Sequence, residues 1–223
     1  MTRKLFWTAV GKFLAGGLTV GLLLFLPAGS LQYREGWLLM GILLIPMFLA
    51  GLIMMVKNPD LLRKRLQAKE SEKDQQLVIK LSGLMFLLGF GAAGLCRRFG
   101  VGRFPGWVTV LGTVLFLVSY CLYGEVLREN TYLSRTIQVQ EHQKVIDTGL
   151  YGLVRHPMYA VTLVLFLSMP LVLGSWISLL FFLMYPFVIA VRIRNEEQVL
   201  LAGLPGYGDY RKKVRWRLIP GIW

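Results

Sequence analysis

Long apolar runs separated by short polar loops make up most of this 223-residue chain. Six apolar segments can be drawn, at about 7–27, 36–56, 77–96, 105–127, 158–173 and 175–191. Each of the first four has about 20 residues, enough for a helix to cross a hydrocarbon core of about 30 Å. The last two have 16 and 17 residues and meet at a Gly-Ser pair, so the pattern predicts a tight helical hairpin after four spanning helices.

This pattern predicts an all-α fold, a polytopic membrane helical bundle with five to six membrane segments and no Rossmann domain. Hydrophobic residues make up 55% of the chain, which is high for a soluble domain. We therefore expect a single integral membrane domain over 1–223. It comprises N-terminal membrane helices over 1–127 and a second part, 128–223, in which the polar residues collect around the hairpin and a C-terminal tail.

Lysine and arginine are divided unequally between alternate loops and termini, with 20 in one set and 4 in the other. By the positive-inside rule, the richer set is cytoplasmic, and it contains both termini and the loops 57–76 and 128–157. The net charge of +13 is then explained by topology and anionic lipid headgroups rather than by nucleic acid. The predicted location is the plasma membrane if the host is prokaryotic and the endoplasmic reticulum if it is eukaryotic.

The loop 57–76 begins with an Asn-Pro helix-initiation signal and continues as a basic amphipathic piece, predicted to lie on the membrane surface. Two interpretations stay open for it, a solvated connector and a substrate gate.

The two cysteines, Cys96 and Cys121, lie in or beside apolar segments without metal-ligand spacing. We expect both thiols to be buried and inert, and we expect no metal site.

The stretch "GLYGLVRHPMYA" (149–160) places polar residues at the start of the first hairpin arm. Pro157 suits the first position of a helix, and His156 before it is biased to an extended conformation at the N-cap. Free N–H groups and the helix dipole attract an anion at such a position, and Tyr159 lies in the first turn. The alternative is that Arg155 and His156 only face lipid headgroups.

The stretch "RIRNEEQVLLAGLPGYGDYRKKVRWRLIPGIW" (192–223) follows the second arm. Arg192 and Glu196 share a helix face at i,i+4, and Glu197 lies one turn from Arg194. Adjacent carboxylates that continue a membrane helix are costly unless they are paired or bind a ligand. An ordinary salt-bridged helix end is the alternative.

The hairpin is expected to return 192–215 to the membrane face that carries 147–160, because its two arms are nearly equal in length. Tyr207 and Tyr210 follow a Pro-Gly turn there and are interpreted as interfacial anchors or as a lid. Ionisable residues are almost absent from the first four segments, which disfavours a pump or a proton-coupled transporter.

The motifs "GLYGLVRHPMY", "RIRNEE", "LPGYGDYRKKV" and the terminal "IPGIW" resemble the isoprenylcysteine carboxyl methyltransferase family and its phospholipid-methyltransferase relatives. The resemblance covers roughly 145–223. It implies an S-adenosylmethionine-dependent methyltransferase whose cofactor pocket lies at the cytoplasmic face, with 128–223 as the catalytic segment. It also implies a lipophilic methyl acceptor that enters from the bilayer.

The resemblance further implies roles for individual residues. Arg192 would lie at the transfer centre, with Glu196 and His156 as further catalytic candidates. The residues implied to bind the cofactor are Tyr151, Arg155, His156, Tyr159, Glu196, Glu197, Tyr207 and Tyr210. Methyl transfer from a sulfonium is an in-line displacement that relies on positioning and exclusion of water, and tyrosine faces suit a cationic sulfonium.

The acceptor is left open by the sequence. Carboxyl transfer of the isoprenylcysteine type is the leading hypothesis, and a phospholipid amine or a small thiol is the alternative. From other classes, a sterol-reductase-like NADPH oxidoreductase shares an Arg-His-Pro-like motif before a membrane hairpin, and a non-catalytic membrane protein is the third hypothesis. The acidic pair Glu196–Glu197 and the short chain favour the methyltransferase.

Overall fold

Helices account for most of the structure, a computed structural model that describes residues 3–66, 73–133, 137 and 139–223, without the side chains of 73–75. In these ranges the α-helices are α1 (Arg3–Ala28), α2 (Arg34–Lys57), α3 (Pro59–Leu66), α4 (Lys73–Phe99), α5 (Gly106–Glu129), α6 (Pro157–Val172), α7 (Trp176–Phe182), α8 (Tyr185–Gly203) and α9 (Tyr207–Lys213). A 3₁₀ turn, Gly149–Gly152, precedes α6.

The predicted all-α membrane bundle is confirmed. Five helical stretches are long and apolar enough to cross a membrane: α1, α2, residues 76–99 of α4, α5 and the 28-residue stretch 176–203 formed by α7 and α8. The other hairpin arm, α6, has 16 residues, or about 24 Å at 1.5 Å per residue, which is shorter than a hydrocarbon core of about 30 Å.

The second hairpin arm differs from its predicted form in one way. It is interrupted at 183–184, between α7 and α8, because Pro186 lacks the N–H that would bond the carbonyl one turn earlier. Beyond the apolar segment, which ends at Val191, the helix continues through Glu196 and Glu197 as predicted. It reaches Gly203, since the charged residues find partners on neighbouring segments. The polar residues of 192–203 therefore lie on a helix.

The core is centred on the fully buried ring of Phe182 in α7. Phe86 and Phe90 of α4 pack against this ring with centroid separations of 5.4 and 5.7 Å. Gly89 lies between them, and a Cβ there would come within 2.4 Å of the Phe182 ring. The absence of a side chain at Gly89 thus permits α4 to support the hairpin closely.

Loops and helix ends fall into two groups on opposite faces of the bundle. On one face, the Arg97 guanidinium donates to the Gln32 carbonyl at 3.2 Å, and the Phe104 N–H donates to the Gly174 carbonyl at 2.8 Å. On the other face, the Arg65 guanidinium lies 3.9 Å from the Met158 sulfur. This division matches the alternation of loops from which the charge distribution was counted.

Helix α3 begins where the Asn-Pro signal predicts, and the Asn58 Oδ1 accepts a hydrogen bond from the Leu61 N–H at 3.1 Å. Its far end is capped by Lys12 of α1, whose ammonium donates to the Leu66 carbonyl. The rest of the predicted amphipathic piece, 67–72, lies outside the described residues.

The expectation that both cysteines are buried was wrong for Cys121, which is exposed on α5, whereas Cys96 is buried.

Candidate active site

The first arm of the hairpin starts at a His-Pro step, as the sequence predicts. His156 is the N-cap of α6 with φ −124° and ψ 61°, and Pro157 occupies the first helical position. The His156 carbonyl accepts from the N–H groups of Tyr159 and Ala160 at 3.0 and 3.1 Å. The His156 N–H in turn donates to the Arg217 carbonyl at 2.9 Å, so the C-terminal tail is joined to this helix start.

The hydroxyl of Tyr159 connects the two arms of the hairpin. It donates to Glu196 Oε2 at 2.5 Å and accepts from Arg192 Nε at 2.9 Å. Arg192 and Glu196 lie one turn apart on α8, so the same hydroxyl is shared by a guanidinium and a carboxylate. The first turn of α6 is thereby fixed against the charged turn of α8.

Glu197 points toward different segments and is almost fully buried, with 3% of its surface exposed. Its Oε1 lies 2.7 Å from Arg155 Nε, and its Oε2 accepts from Arg217 Nε at 3.0 Å. Arg155 also donates to the carbonyls of Val214 and Arg215, at 2.9 and 2.8 Å. One buried carboxylate therefore joins α8, the start of α6 and the C-terminal tail.

A small cavity of about 70 Å³ opens beside these residues. The predicted site residues that line it are Tyr151, Arg155, His156, Tyr159, Glu196, Tyr207 and Tyr210. Two other predicted residues, Arg192 and Glu197, are described but are not part of the lining. Arg192 reaches the site through the Tyr159 hydroxyl, and Glu197 lies behind it in the ion cluster.

Sequence reasoning missed the rest of the lining, which comes from the residue after α5, the polar loop before the hairpin, the first turn of α6, and the end of α8 with the residue that follows it. These residues are Asn130, Gln143, Lys144, Val145, Ile146, Met158, Leu200 and Leu204. The loop residues carry no periodic signal that would have identified them. The i,i+4 spacing of Leu200, on α8, and Leu204, directly after it, was visible in the sequence but was not connected with the site.

Tyrosines close one side of the cavity. The Tyr210 hydroxyl donates to the Tyr151 carbonyl at 2.8 Å, and the Asn130 amide donates to the Tyr151 hydroxyl at 3.0 Å. Burial raises the pKa of Tyr151, Tyr207 and Tyr210 above the usual tyrosine value, and the nearby carboxylates raise that of Tyr207 further. These three hydroxyls therefore stay protonated at neutral pH.

Two buried polar atoms of the lining residues lack a hydrogen-bond partner among the residues that the structure describes. One is the Tyr207 hydroxyl, and the other is His156 Nε2, which lies 3.4 Å from Glu197 Oε1 without hydrogen-bonding geometry. Because buried polar groups normally have a partner, a ligand is one way to satisfy these two atoms. In the same part of the chain, no group of three or more His, Cys, Asp or Glu side chains could hold a metal ion.

Known proteins are similar to this chain in sequence and in fold. Residues 110–202 match the isoprenylcysteine carboxyl methyltransferase (ICMT) family. The structure resembles that of a eukaryotic intramembrane Ras methyltransferase, ICMT, with a TM-score of 0.56 and 16% identity, over 97% of this chain and 84% of that one. At that identity the likeness shows a shared fold.

Two bacterial proteins are similar in sequence. An uncharacterized protein of Bacillus subtilis, YpbQ, is 24% identical over 165 residues, which cover 74% of this chain and 95% of that protein. The cobalt-zinc-cadmium resistance protein CzcN of Cupriavidus metallidurans is 28% identical over 124 residues. That match covers 52% of this chain and 53% of the length of CzcN.

Proposed function

We propose that this chain, whose residues 110–202 match the ICMT family, is an integral membrane methyltransferase that transfers a methyl group from S-adenosylmethionine to a lipophilic acceptor. The acceptor group in this proposal is a carboxylate of the isoprenylcysteine type. The observation that carries the proposal is the meeting of His156, Tyr159 and Glu196 on one cavity, inside the matched region.

The residues of the cavity fit this cofactor chemically. When bound, S-adenosylmethionine supplies an electrophilic methyl group on a cationic sulfonium. Electron-rich tyrosine faces attract such a cation, and Tyr151, Tyr159, Tyr207 and Tyr210 all line the cavity. The Glu196 carboxylate suits ribose hydroxyls or an ammonium group. The Tyr207 hydroxyl, which has no hydrogen-bond partner among the described residues, offers a further polar contact, as does the ring of His156 in the lining.

The size of the cavity imposes a condition on binding. Ligand pockets commonly measure about 300 to 1,000 Å³, whereas this one is about 70 Å³. Its outer wall belongs to a small apolar cluster of Leu204, Tyr207, Tyr210 and Val214, separate from the main core. Because such a satellite cluster opens at a lower free energy than the core, we expect this wall to move outward when the cofactor binds.

Arg192 and Tyr159 have positioning roles in this proposal. Arg192 lies one turn from Glu196, and its Nε already donates to the Tyr159 hydroxyl, which limits its freedom. A guanidinium suits a carboxylate acceptor, because it binds that group in a planar, two-bond geometry. A carboxylate acceptor is already a nucleophile at neutral pH, so the reaction needs orientation and exclusion of water rather than a general base.

We further propose that the cavity faces the cytoplasm. It lies on the side of the bundle that holds α3, α9 and the C-terminal tail, which belong to the cation-rich set of loops and termini. The positive-inside rule assigns that set to the cytoplasm. A substituted-cysteine accessibility assay at an introduced tail cysteine, Lys212→Cys, tests this orientation. Labelling from the external side only would contradict a cavity that faces the cytoplasm.

The proposal is tested by binding and by transfer. Purified protein should bind S-adenosylmethionine in calorimetry, and Glu196→Gln and His156→Ala should each weaken binding by about tenfold or more, the effect of losing a charge-assisted hydrogen bond. Labelled methyl transfer to a prenylated cysteine with a free carboxylate should occur, and transfer to the same compound with an amidated carboxyl should not. Mass spectrometry of the product identifies the methyl ester.

Exposed residues of the same types provide matched controls. Glu141 and His142 lie in the loop before the hairpin with side chains about 90% exposed. Glu141→Gln and His142→Ala should therefore leave cofactor binding unchanged. Wild-type affinity in both site variants would contradict the assignment of the site, and methylation of an amine or a thiol in place of the carboxylate would contradict the proposed acceptor.

A further inference from the structure

Arginines on the face opposite the candidate active site converge on one cleft. Of the 25 lysines and arginines in the chain, four belong to the loops of that face: Arg34, Arg97, Arg98 and Arg103. Three of the four line a single cavity of about 460 Å³, together with Gln32 and Glu35. This face has few cations, and most of them are gathered at one place. The volume of the cavity is in the range of ligand pockets.

Contacts with neighbouring residues hold two of the guanidiniums in place. Arg97, near the end of α4, donates to the Gln32 carbonyl at 3.2 Å. Arg103, in the loop before α5, lies 3.3 Å from the Glu35 carboxylate. Arg34 completes the set as the first residue of α2. Three guanidiniums against one carboxylate leave the cleft with two net positive charges.

The cleft lies among helix ends that carry exposed indole rings. Trp37 is in the first turn of α2 and 53% exposed, and Trp107 is the second residue of α5 and 67% exposed. Exposed tryptophans at the ends of membrane helices are typical of the headgroup level. The guanidiniums of the cleft are therefore near the depth at which lipid phosphates lie.

We propose that this cleft binds a phosphate group. Arginine suits phosphate oxygens because its planar fork donates two parallel hydrogen bonds to them. Arg34 and Arg97 make the main contacts, and Arg103 is shared between the phosphate and Glu35. The phosphate is carried by an anionic phospholipid such as phosphatidylglycerol, or it is free inorganic phosphate, and the two sources are separated by experiment.

The experiment uses the full chain in detergent, without cofactor or methyl acceptor, so its outcome is independent of the proposed transfer reaction. Native mass spectrometry measures retention of phosphatidylglycerol against zwitterionic phosphatidylcholine. The wild-type protein should retain phosphatidylglycerol with an affinity about tenfold higher or more, and Arg34→Gln combined with Arg97→Gln should remove that preference. In a parallel arm, inorganic phosphate is titrated in a thermal-shift assay and as a competitor of the lipid.

The neighbouring Arg98 provides a matched control. It lies at the same end of α4, where its side chain packs near Gly29, but it does not line the cleft. Arg98→Gln removes the same charge and should leave the lipid preference unchanged. Binding of inorganic phosphate to the wild type but not the double variant assigns the site to the free ion. Equal retention of both lipids without phosphate binding, or equal losses in Arg98→Gln and the double variant, would overturn the proposal.

Discussion

Arg155 and Glu197 form a buried ion pair at 2.7 Å, with their side chains 5% and 4% exposed. The two residues are 42 positions apart and come from opposite ends of the hairpin. Arg217 of the C-terminal tail reaches the other oxygen of the same carboxylate, with its Nη2 at 2.9 Å. The pair therefore connects the start of α6, α8 and the tail that borders the candidate site.

The first prediction concerns this ion pair. Glu197→Gln leaves two guanidiniums without their carboxylate, one of them buried, and breaking a buried pair lowers the free energy of unfolding by about 3 to 5 kcal/mol. We expect a fall of several degrees in the thermal unfolding midpoint in detergent. Glu125→Gln, which removes the exposed pair with Arg128, should leave the midpoint unchanged, and equal midpoints for the two variants would contradict the structural role of Glu197.

The second prediction concerns the hydroxyl shared by Arg192 and Glu196. Tyr159→Phe removes it and leaves both charged groups without this partner, so we expect methyl-transfer turnover to fall about tenfold while the protein stays folded. Tyr185→Phe is the matched control, because its hydroxyl lies in the same hairpin but contacts Thr162 Oγ1 at 3.0 Å. Similar turnover in the two variants would show that the link across the hairpin has no catalytic role.

Local signals in the sequence predicted the start of the hairpin well. The His-Pro step specifies a helix N-terminus through backbone geometry alone, and the nearly equal arms place 192–197 beside it. The tail contacts were not predictable in this way. The Arg155 N–H donates to the Trp216 carbonyl and the His156 N–H to that of Arg217, at 2.9 Å each. Such pairing between distant backbone segments has no periodicity in the sequence.

The limits of helices were also only partly predictable. Apolar runs locate the parts of helices that face lipid, so the run that ends at Val191 marks only the apolar part of α8. The spacing of Arg192 and Glu196 predicted that the helix continues, but not that it reaches Gly203. The helix continues because Glu196 and Glu197 find partners on α6 and the tail, and these partners are tertiary contacts. The loop residues at the cavity were missed for the same reason, since packing rather than local propensity brings them there.

The third prediction tests the packing of α5 against α6. A Cβ on Gly112 would lie 2.6 Å from Leu171 Cβ and 2.8 Å from the Val172 nitrogen, so α6 would have to shift. Gly112→Ala should lower the free energy of unfolding by about 1 to 3 kcal/mol. Gly124, on the same helix, has open space around its Cβ position, and Gly124→Ala should raise stability by about 0.4 to 1 kcal/mol. Thermal midpoints that shift in the same direction for both variants would contradict this packing.

The last prediction concerns alkaline pH and the tyrosines that border the cavity. Burial raises the pKa of Tyr151, Tyr207 and Tyr210 in the folded protein, whereas in the unfolded chain they ionise near pH 10. Above that pH the unfolded state binds fewer protons than the folded state, so stability falls as pH rises. The contribution of these groups is fully present below about pH 10 and is lost as pH rises toward their folded pKa values.

Tyrosinate absorbance measures the ionisation of the tyrosines, and thermal unfolding measures the stability that depends on it. In the folded protein, the ionisation of these three tyrosines should be delayed beyond that of an exposed tyrosine, and the unfolding midpoint should begin to fall above about pH 10. Tyr207→Phe removes one titrating group whose hydroxyl is buried without a partner among the described residues, so it should reduce the alkaline loss of stability. Ionisation of all the tyrosines together near pH 10, with the fold intact, would show that the wall of the cavity is open to water.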